Sequence, residues 1–431
     1  MRPSFPLFAS HRWYEYILGE PVAQHPTMWR FLAPGVFRGS ASLGIPSTTF
    51  WVYGYGVFDW DYDNDRYELT RFNALPYYSG SWGAQCVVWV SDTDVRIIGN
   101  LVKDSSQDTI RHAGKISVNA AGVISWIEPA TTACGNDLVN NAIYYPGWAI
   151  GYNGGAIHPY ANGAFSPSPT SNCYIGKITA TNSATNLGPL RSGLTSGAQH
   201  APLCSLGASA AGNGYAVGVQ NCYQDSTAGT MYVGLYNVAI ATPSLVTTCS
   251  YSGRPGTWGP LHLGGQKVLV HDNHTIDYNG KVSLLTTNSA TSPTSLTQSS
   301  TAFAPTLPFR SGDVEYSYPA AGGFNAQNYW VSEGLGAGLC LYSLNQNLAV
   351  GETYRYYYVP CKYTAPGTTV SIELLTHDAE GTPLPIETTW WTSALQNTHS
   401  YAFQMVGAPD NKSSLFWSVG SNPTTQTVLQ L

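Results

Sequence analysis

The chain has 431 residues, of which 13% are aromatic and 10% are charged, and its formal net charge is −6 at pH 7. Because the charged fraction is far below the roughly 25% of an ordinary soluble domain, neutral Ser, Thr, Asn and Gly residues must supply most of the polar surface. An acidic balance without runs of Lys or Arg argues against a nucleic-acid partner, and no window approaches the ~20 apolar residues of a membrane-spanning helix.

Residues 1–34 are predicted to form an N-terminal arm or docking segment, and residues 35–431 the main fold. The first segment is punctuated by prolines and carries large apolar residues such as Phe5, which suit contact with a partner. The alternative is a strand that completes the last unit of the fold. Prolines, followed by the polar residues His11 and Arg12, leave no apolar h-region, so we expect no Sec-type signal peptide.

A degenerate hairpin unit recurs from residue 50 onward. Each copy has an apolar alternating strand, a polar tip, and a second strand with the pattern aromatic-x-apolar-x-apolar, which is typical of half-buried β-strands. Several copies are preceded by a further strand, and the Ser/Thr-rich connections can hold an outer one. Four strands per unit is the make-up of a β-propeller blade. The clearest copies lie at 50–75, 148–179, 215–240, 267–285 and 329–344.

These units predict an all-β fold, a β-propeller of about seven four-stranded blades, with six or eight also open. Residues 85–100 and 115–127 enter this count as a compressed second blade, and the hairpin at 415–429 as a closing blade. The interval 354–407 is too long for one unit and is interpreted as an insertion on one face of the propeller. The alternative architecture is a pair of β-sandwich or jelly-roll domains.

The resemblance is to the propeller architecture and to no particular repeat family. Gly264-Gly265 and Gly322-Gly323 resemble the double glycine of kelch repeats, but two partial matches do not identify a family. The first hairpin also carries alternating carboxylates that resemble the calcium loops of some propellers, with Asn64 at the position usually taken by glycine. The candidate calcium ligands are Asp59, Asp61, Asp63 and Asp65. The alternative is that strand alternation simply sends these carboxylates to solvent.

Eight cysteines occur without any Cys-x-x-Cys spacing, so neither structural zinc nor a redox motif is expected. Buried free thiols are the simplest interpretation. Disulfides that join Cys204 to Cys222, or Cys340 to Cys361, are the alternative. Because the sequence also lacks a nucleophile elbow, a zinc-protease motif and a phosphate-binding glycine loop, we expect no enzyme, and no cofactor apart from the possible calcium.

A protein rich in Tyr, Trp, Asn, Ser and Gly is suited to recognition, because rigid aromatic rings and small amides bind at low entropic cost. Sugars match this chemistry, since their C–H faces stack on aromatic rings and their hydroxyls bond to amides. The alternative is that each aromatic residue fills the space between blades. The candidate ligand-binding aromatics are Trp82, Tyr152, Tyr160, Trp390 and Trp391.

Low charge, neutral polar residues and degenerate β-repeats resemble the composition of virion proteins of tailed bacteriophages. The resemblance implies a tail, baseplate or spike component, made in the host cytoplasm and assembled into the particle. Such a protein would bind a host-surface polysaccharide or neighbouring virion subunits and would be oligomeric or part of an assembly. Two alternatives stay open. One is a glycan-cleaving propeller with carboxylates at its mouth, and the other is a lectin secreted by a non-Sec route.

Overall fold

The fold is almost entirely β-strand, as the enrichment in aromatic and β-branched residues predicts. Seven antiparallel sheets follow one another along the described part of the chain, which also contains a short 3-10 turn at Ala41–Leu43. The computed structural model describes residues 14–19, 22–25, 27–39, 41–47, 49–74, 84–100, 111–128, 150–152, 155–161, 173–178, 184–189, 203–206, 214–219, 230–239, 244–253, 260–272, 281–305, 316–321, 330–344, 355–384, 387–389, 401–419 and 422–431.

The first four sheets are numbered in chain order. Sheet 1 contains β1 (Tyr14–Leu18), β2 (Ala23–Gln24), β3 (Arg30–Gly39), β4 (Val52–Asp61) and β5 (Arg66–Ala74). Sheet 2 contains β6 (Ala84–Trp89), β7 (Asp94–Asn100), β8 (Arg111–Val118) and β9 (Ile124–Glu128). Sheet 3 contains β10 (Ile150–Tyr152), β11 (Gly155–Ala161), β12 (Cys173–Ile178) and β13 (Ala184–Pro189). Sheet 4 contains β14 (Leu203–Ser205), β15 (Tyr215–Val219), β16 (Thr230–Asn237) and β17 (Ser244–Ser252).

The remaining three sheets continue the series. Sheet 5 contains β18 (Leu261–His262), β19 (Lys267–Asp272), β20 (Lys281–Thr287) and β21 (Leu296–Phe303). Sheet 6 contains β22 (Tyr316–Ala321), β23 (Trp330–Ser332), β24 (Leu335–Leu344), β25 (Arg355–Thr364), β26 (Ser371–Leu374) and β27 (Glu387–Thr389). Sheet 7 contains β28 (Tyr401–Ala408), β29 (Lys412–Val419) and β30 (Thr425–Gln430).

Neighbouring sheets contact one another in the order in which they occur along the chain. β2 lies against β6, β6 against β10, β10 against β14, and β14 against β18. β19 then contacts β22, β24 contacts β28, and β29 contacts β1, so the last sheet returns to the first. The seven sheets of the described residues therefore form a closed ring, and the fold is a β-propeller. This confirms the prediction of about seven blades over the sandwich alternative.

The element boundaries differ from the sequence-based prediction in three places. The strands β6 to β9 form a complete four-stranded blade, not a compressed one. Much of the interval 354–407 belongs to blades, because β25, β26 and β27 lie in sheet 6 and β28 in sheet 7. The boundary predicted at residue 34 falls inside β3, which pairs with β1 and β2 of the predicted arm. Residues 1–13 of that arm lie outside the described residues, and its docking role stays a prediction.

Sheet 1 is packed so tightly that aromatic rings lie directly on its backbone at two glycines. A Cβ atom added to Gly56 would lie 2.8 Å from the ring of Phe37, and one added to Gly54 would lie 2.4 Å from the ring of Phe72. Only glycine leaves room for such an approach inside a strand. The glycines of this hairpin therefore shape the core of the first blade, beside the point where the ring closes.

His262 is buried in sheet 5 and gives the fold a sensitivity to acid. Its Nε2 atom lies 3.2 Å from the carbonyl oxygen of Gly265, and burial lowers the pKa of the imidazole from 6.5 to about 4. Between these two pH values the unfolded chain binds a proton that the folded chain excludes. Above pH 6.5 this histidine therefore does not reduce the free energy of unfolding. As the pH falls to 4, it lowers the free energy of unfolding by up to about 3 kcal/mol.

We therefore expect the variant His262→Gln to show a smaller decrease in free energy of unfolding between pH 7 and pH 4 than the original chain, measured by urea denaturation at each pH. The exposed His377 supplies the control, because His377→Gln removes an imidazole that the fold does not bury. Equal pH dependence in the original chain and in His262→Gln would contradict the assignment to His262.

Candidate functional site

A cleft with a volume of about 470 Å³ lies where the ring closes, between sheets 1 and 7. Its walls come from β1, the tip of the β4–β5 hairpin, the segment that follows β26, and β30. The volume falls within the roughly 300–1,000 Å³ of typical small-ligand sites. The lining is mainly polar, and Tyr14, Glu68, Asp378, Glu380 and Gln426 supply its principal functional groups.

Side-chain amides and phenols fix the two walls of the cleft relative to each other. The amide of Gln24 accepts from Gly407 N–H at 2.8 Å and donates to the Gly407 carbonyl at 3.3 Å. The hydroxyl of Tyr67 donates to the same carbonyl at 2.6 Å. In the orientation that satisfies its amide, Gln426 donates to the Tyr67 carbonyl and accepts from Tyr67 N–H, both at 2.9 Å. Polar contacts between side chains and backbone thus close the ring.

An aromatic cluster lies behind these polar contacts. The buried ring of Phe416, on β29, packs against Phe31 with centroids 5.2 Å apart and against Phe58 at 6.2 Å. The ring of Tyr67 lies 6.3 Å from that of Phe416. Because Phe416 belongs to the last blade and its partners to the first, this cluster is the apolar part of the closure.

Glu68 is held by two neighbours inside the cleft. Its carboxylate accepts a hydrogen bond from the hydroxyl of Tyr14 and forms an ion pair with Arg66. Burial, followed by the hydrogen bond to Glu68, raises the pKa of Tyr14 above its usual range, so the phenol stays protonated at neutral pH. The ring of Tyr14 stacks on that of the buried Tyr16, with centroids 6.1 Å apart and planes at 23°. An aromatic pair and an oriented carboxylate therefore share one wall.

The opposite wall carries two further carboxylates. Asp378 accepts hydrogen bonds from the backbone N–H groups of Glu380 at 3.1 Å and of Thr382 at 2.6 Å, which orders the turn. Glu380 itself is exposed at the rim. Together with Asp65 and Glu68, these residues give the lining four carboxylates against the single guanidinium of Arg66, a formal charge of −3.

The carboxylates of the cleft can serve as hydrogen-bond acceptors for a ligand. Carboxylates that accept from backbone N–H groups or from arginine are hydrogen-bond acceptors held in place. Asp378 accepts from the backbone N–H group of Thr382, and Glu68 forms an ion pair with Arg66. The site can therefore accept hydrogen bonds from the donor groups of a ligand.

Two of the predicted calcium ligands, Asp59 and Asp61, make contacts with other residues of the fold. Asp59 pairs with Arg30, with Nε and Oδ1 2.5 Å apart, and accepts from the hydroxyl of Thr70 at 2.7 Å. Asp61 Oδ1 accepts from the backbone N–H of Asp63 at 2.9 Å and forms the turn at the hairpin tip. Hydrogen bonds to this turn lower the pKa of Asp61, with the side-chain amide of Asn64 the largest contributor.

The other two predicted ligands, Asp63 and Asp65, lie in the same hairpin. Asp65 forms an ion pair with Lys412 of sheet 7, and Asp63 is exposed. Within the described residues, no group of three or more His, Cys, Asp or Glu side chains is close enough to hold a metal ion. Asp59, Asp61 and Asp65 thus take part in ion pairs or in the hairpin turn, and calcium binding by the four carboxylates stays a prediction.

The candidate ligand-binding aromatics are not tested by the structure. Trp82, Trp390 and Trp391 lie outside the described residues. Tyr152 lies on β10 and Tyr160 on β11, and they pair with Gly155 and Tyr174 of the neighbouring strands. All five residues remain predictions. The residues that line the cleft, in contrast, follow no spacing in the sequence that would have predicted them.

Three buried cysteines agree with the interpretation as free thiols. Cys249, Cys340 and Cys361 are buried, and none of the three forms a disulfide. Cys340 and Cys361 lie on the adjacent strands β24 and β25 but not opposite each other, because Cys340 pairs with Val359. Cys222 lies outside the described residues, so its pairing with Cys204 stays a prediction.

No protein-family model and no curated protein sequence matches the chain. Among solved structures, the β-propeller domain of the Trilobed protease from Pyrococcus furiosus is 6% identical, with a TM-score of 0.39 and coverage of 96% of this chain and 97% of that one. A glycosyl hydrolase from Bacteroides ovatus is 10% identical (TM-score 0.33, coverage 86% and 88%). A GH32 β-fructofuranosidase from Bombyx mori is also 10% identical (TM-score 0.34, coverage 97% and 94%). Such values give no basis for transferring an activity to this chain.

The described residues contain no helix with the length and apolar character needed to cross a bilayer.

Proposed function

We propose that the protein is a non-enzymatic, carbohydrate-binding β-propeller whose glycan site is the cleft between the first and last blades. The observation that carries this proposal is the combination of the Tyr14–Tyr16 ring pair with oriented hydrogen-bond acceptors in one cleft. Sugars need both features, since an aromatic face receives their C–H groups and fixed acceptors receive their hydroxyl protons. The hydroxyls of Thr424 and Thr427 and the amide of Asn64 in the same lining add further polar partners.

The setting we propose is a tailed-bacteriophage particle, with the protein as a tail, baseplate or spike component. Support comes from composition, because 10% charged and 13% aromatic residues suit a surface that recognises neutral hydroxyl groups or packs against other subunits. In that setting the ligand is a host-surface polysaccharide, the other partners are neighbouring virion subunits, and the protein is made in the host cytoplasm. Secretion as a lectin by a non-Sec route is the alternative.

The test is a glycan array probed with the purified full chain, followed by product analysis of each bound glycan. We expect specific binding without release of products. The variant Glu380→Gln should weaken binding about tenfold, because a hydrogen bond to a charged acceptor contributes roughly 1.5–3 kcal/mol. Glu373→Gln is the matched control, since Glu373 is exposed on β26 outside the cleft lining and should be neutral.

Three results would change the assignment. Release of a cleavage product would show that the protein is a glycan-cleaving enzyme and not a binding protein. Binding that Glu380→Gln leaves unaltered would move the glycan site away from the cleft. Absence of binding to every glycan would leave only a structural role in the particle.

A further inference from the structure

We infer that His25 is an acid-sensitive latch, whose protonation at Nδ1 opens the turn between β2 and β3 and loosens the contact of β2 with the second blade. The inference goes beyond the proposed function and does not depend on ligand binding. It is carried by the hydrogen bonds of the buried imidazole and by the position of β2 between its neighbouring blades.

Hydrogen bonds on both sides of the ring hold His25 in one protonation state. Its Nδ1 atom accepts from the backbone N–H groups of Thr27 at 3.1 Å and of Met28 at 3.0 Å. A ring nitrogen that accepts hydrogen bonds has no proton of its own. The proton of the neutral ring is therefore on Nε2, which donates to the carbonyl oxygen of Asp92 at 3.1 Å, in the turn between β6 and β7.

A second proton on His25 is incompatible with this turn. The residue is 2% exposed, and a proton on Nδ1 would point at the N–H groups of Thr27 and Met28. The hydroxyl of Thr27, 3.4 Å from Nδ1, could accept from the new N–H, but both backbone N–H groups would still lose their acceptor. Because buried donors without acceptors are costly, the turn must open when the ring is protonated.

Two charged residues act on the imidazole from the elements around it. Asp92 of the second blade favours the protonated ring, whereas Arg30 on β3 disfavours it. Burial is the largest effect, and the pKa of His25 lies below its ordinary value of 6.5. A chain with the turn open therefore binds the proton more readily than the folded one. The turn is fully stable above pH 6.5 and becomes less stable as the pH falls below it.

The strand β2 contacts the blades on both sides of the first one. On the side of the second blade, the Nε1 atom of Trp89 donates to the carbonyl oxygen of Ala23 at 3.0 Å. The rings of Trp89 and His25 also pack in a T-shape, with centroids 4.6 Å apart. On the other side, the amide of Gln24 binds the backbone of Gly407 in the last blade. Opening of the turn therefore loosens a segment that joins the first blade to both of its neighbours.

Hydrogen exchange measured by mass spectrometry tests the latch in the full chain at pH 7 and pH 5, with rates corrected for the intrinsic effect of pH. Peptides that cover residues 23–32 report on the turn, and peptides that cover β16 report on a blade outside this contact. We expect the protection of residues 23–32 to fall about tenfold relative to that of β16 between pH 7 and pH 5.

Two variants assign this loss to the imidazole. His25→Asn keeps an acceptor that does not titrate, because an asparagine side chain binds the backbone N–H two residues further on. Its protection should therefore be similar at both pH values. His25→Ala has no acceptor, so the protection of residues 23–32 should be low at both. Both variants retain His262, whose contribution is then the same in every comparison.

Three results would overturn the latch. A tenfold fall that persists in either variant would assign the acid effect to another group. Equal losses of protection in residues 23–32 and in β16 would indicate opening of the whole fold. Unchanged protection of residues 23–32 at pH 5 in the original chain would show that the turn tolerates acid.

Discussion

Replacement of Phe416 by alanine is expected to lower the free energy of unfolding by about 3–5 kcal/mol. The ring is 1% exposed and joins the last blade to Phe31, Phe58 and Tyr67 of the first. Removing it leaves a cavity in the closure of the ring, where two blades would have to shift together to fill it. Urea denaturation followed by tryptophan fluorescence measures the loss.

Phe303 on β21 is the matched control, because it is a phenylalanine of a blade strand whose side chain is 58% exposed. Its replacement by alanine should lower the free energy of unfolding by less than about 0.5 kcal/mol. Similar losses for Phe416→Ala and Phe303→Ala would show that the closure contributes no more than an ordinary surface position, contrary to the packing described above.

The second large effect is expected for Arg30→Met, which should lower the free energy of unfolding by about 2–4 kcal/mol. The side chain of Arg30 is 8% exposed and pairs with Asp59 at 2.5 Å. It also donates to the carbonyl oxygens of Asn119 at 3.1 Å and Ala120 at 3.2 Å, in the turn between β8 and β9. Methionine keeps much of the volume, so the loss reports on the ion pair and on the hydrogen bonds that link the first blade to the second.

Arg66→Met serves as the comparison, since Arg66 pairs with Glu68 while its side chain is 58% exposed. Ion pairs at such positions contribute less than about 1 kcal/mol, because water screens them and both side chains lose entropy. Urea denaturation of both variants gives the difference. Equal losses would mean that burial does not strengthen the Arg30–Asp59 pair.

The architecture could be predicted from the sequence because hairpins are local. The unit predicted at 215–240 appears as β15 and β16, and the upstream strand expected near residue 203 appears as β14. Each of these strands pairs with a neighbour close in sequence. Alternation of apolar residues and the composition of the turns are therefore enough to predict these strands and their pairing.

Boundaries between blades were less accessible to prediction. Sheet 6 uses two short strands, β22 and β23, beside the long β24, and two others, β26 and β27, beside β25. A repeat search that assumes one strand in each place finds this stretch too long and interprets the excess as an insertion. In the first blade, β1 and β2 share the edge of β3 in the same way, which made the N-terminal strands look separate from the fold.

The cleft could not be predicted because its residues are distant in sequence. Tyr14, Glu68, Asp378 and Gln426 meet only when the ring closes, and no local spacing records that event. The same limit applies to the aspartates of the first hairpin. Asp59 and Asp65 pair with Arg30 and Lys412, which lie 29 and 347 residues away in the sequence, so no local pattern predicts these ion pairs.

The way in which the ring closes has a consequence for how such a chain can change during evolution. Every described sheet is built from one continuous stretch of chain, and the first and last sheets share no strand. A gene duplication or deletion that adds or removes one whole blade at either end would therefore leave all other strand pairings intact. New termini placed between two blades, with the old ones joined, would likewise preserve each sheet. Only the side chains that meet at the closure, such as Gln24 and Phe416, would need to find new partners.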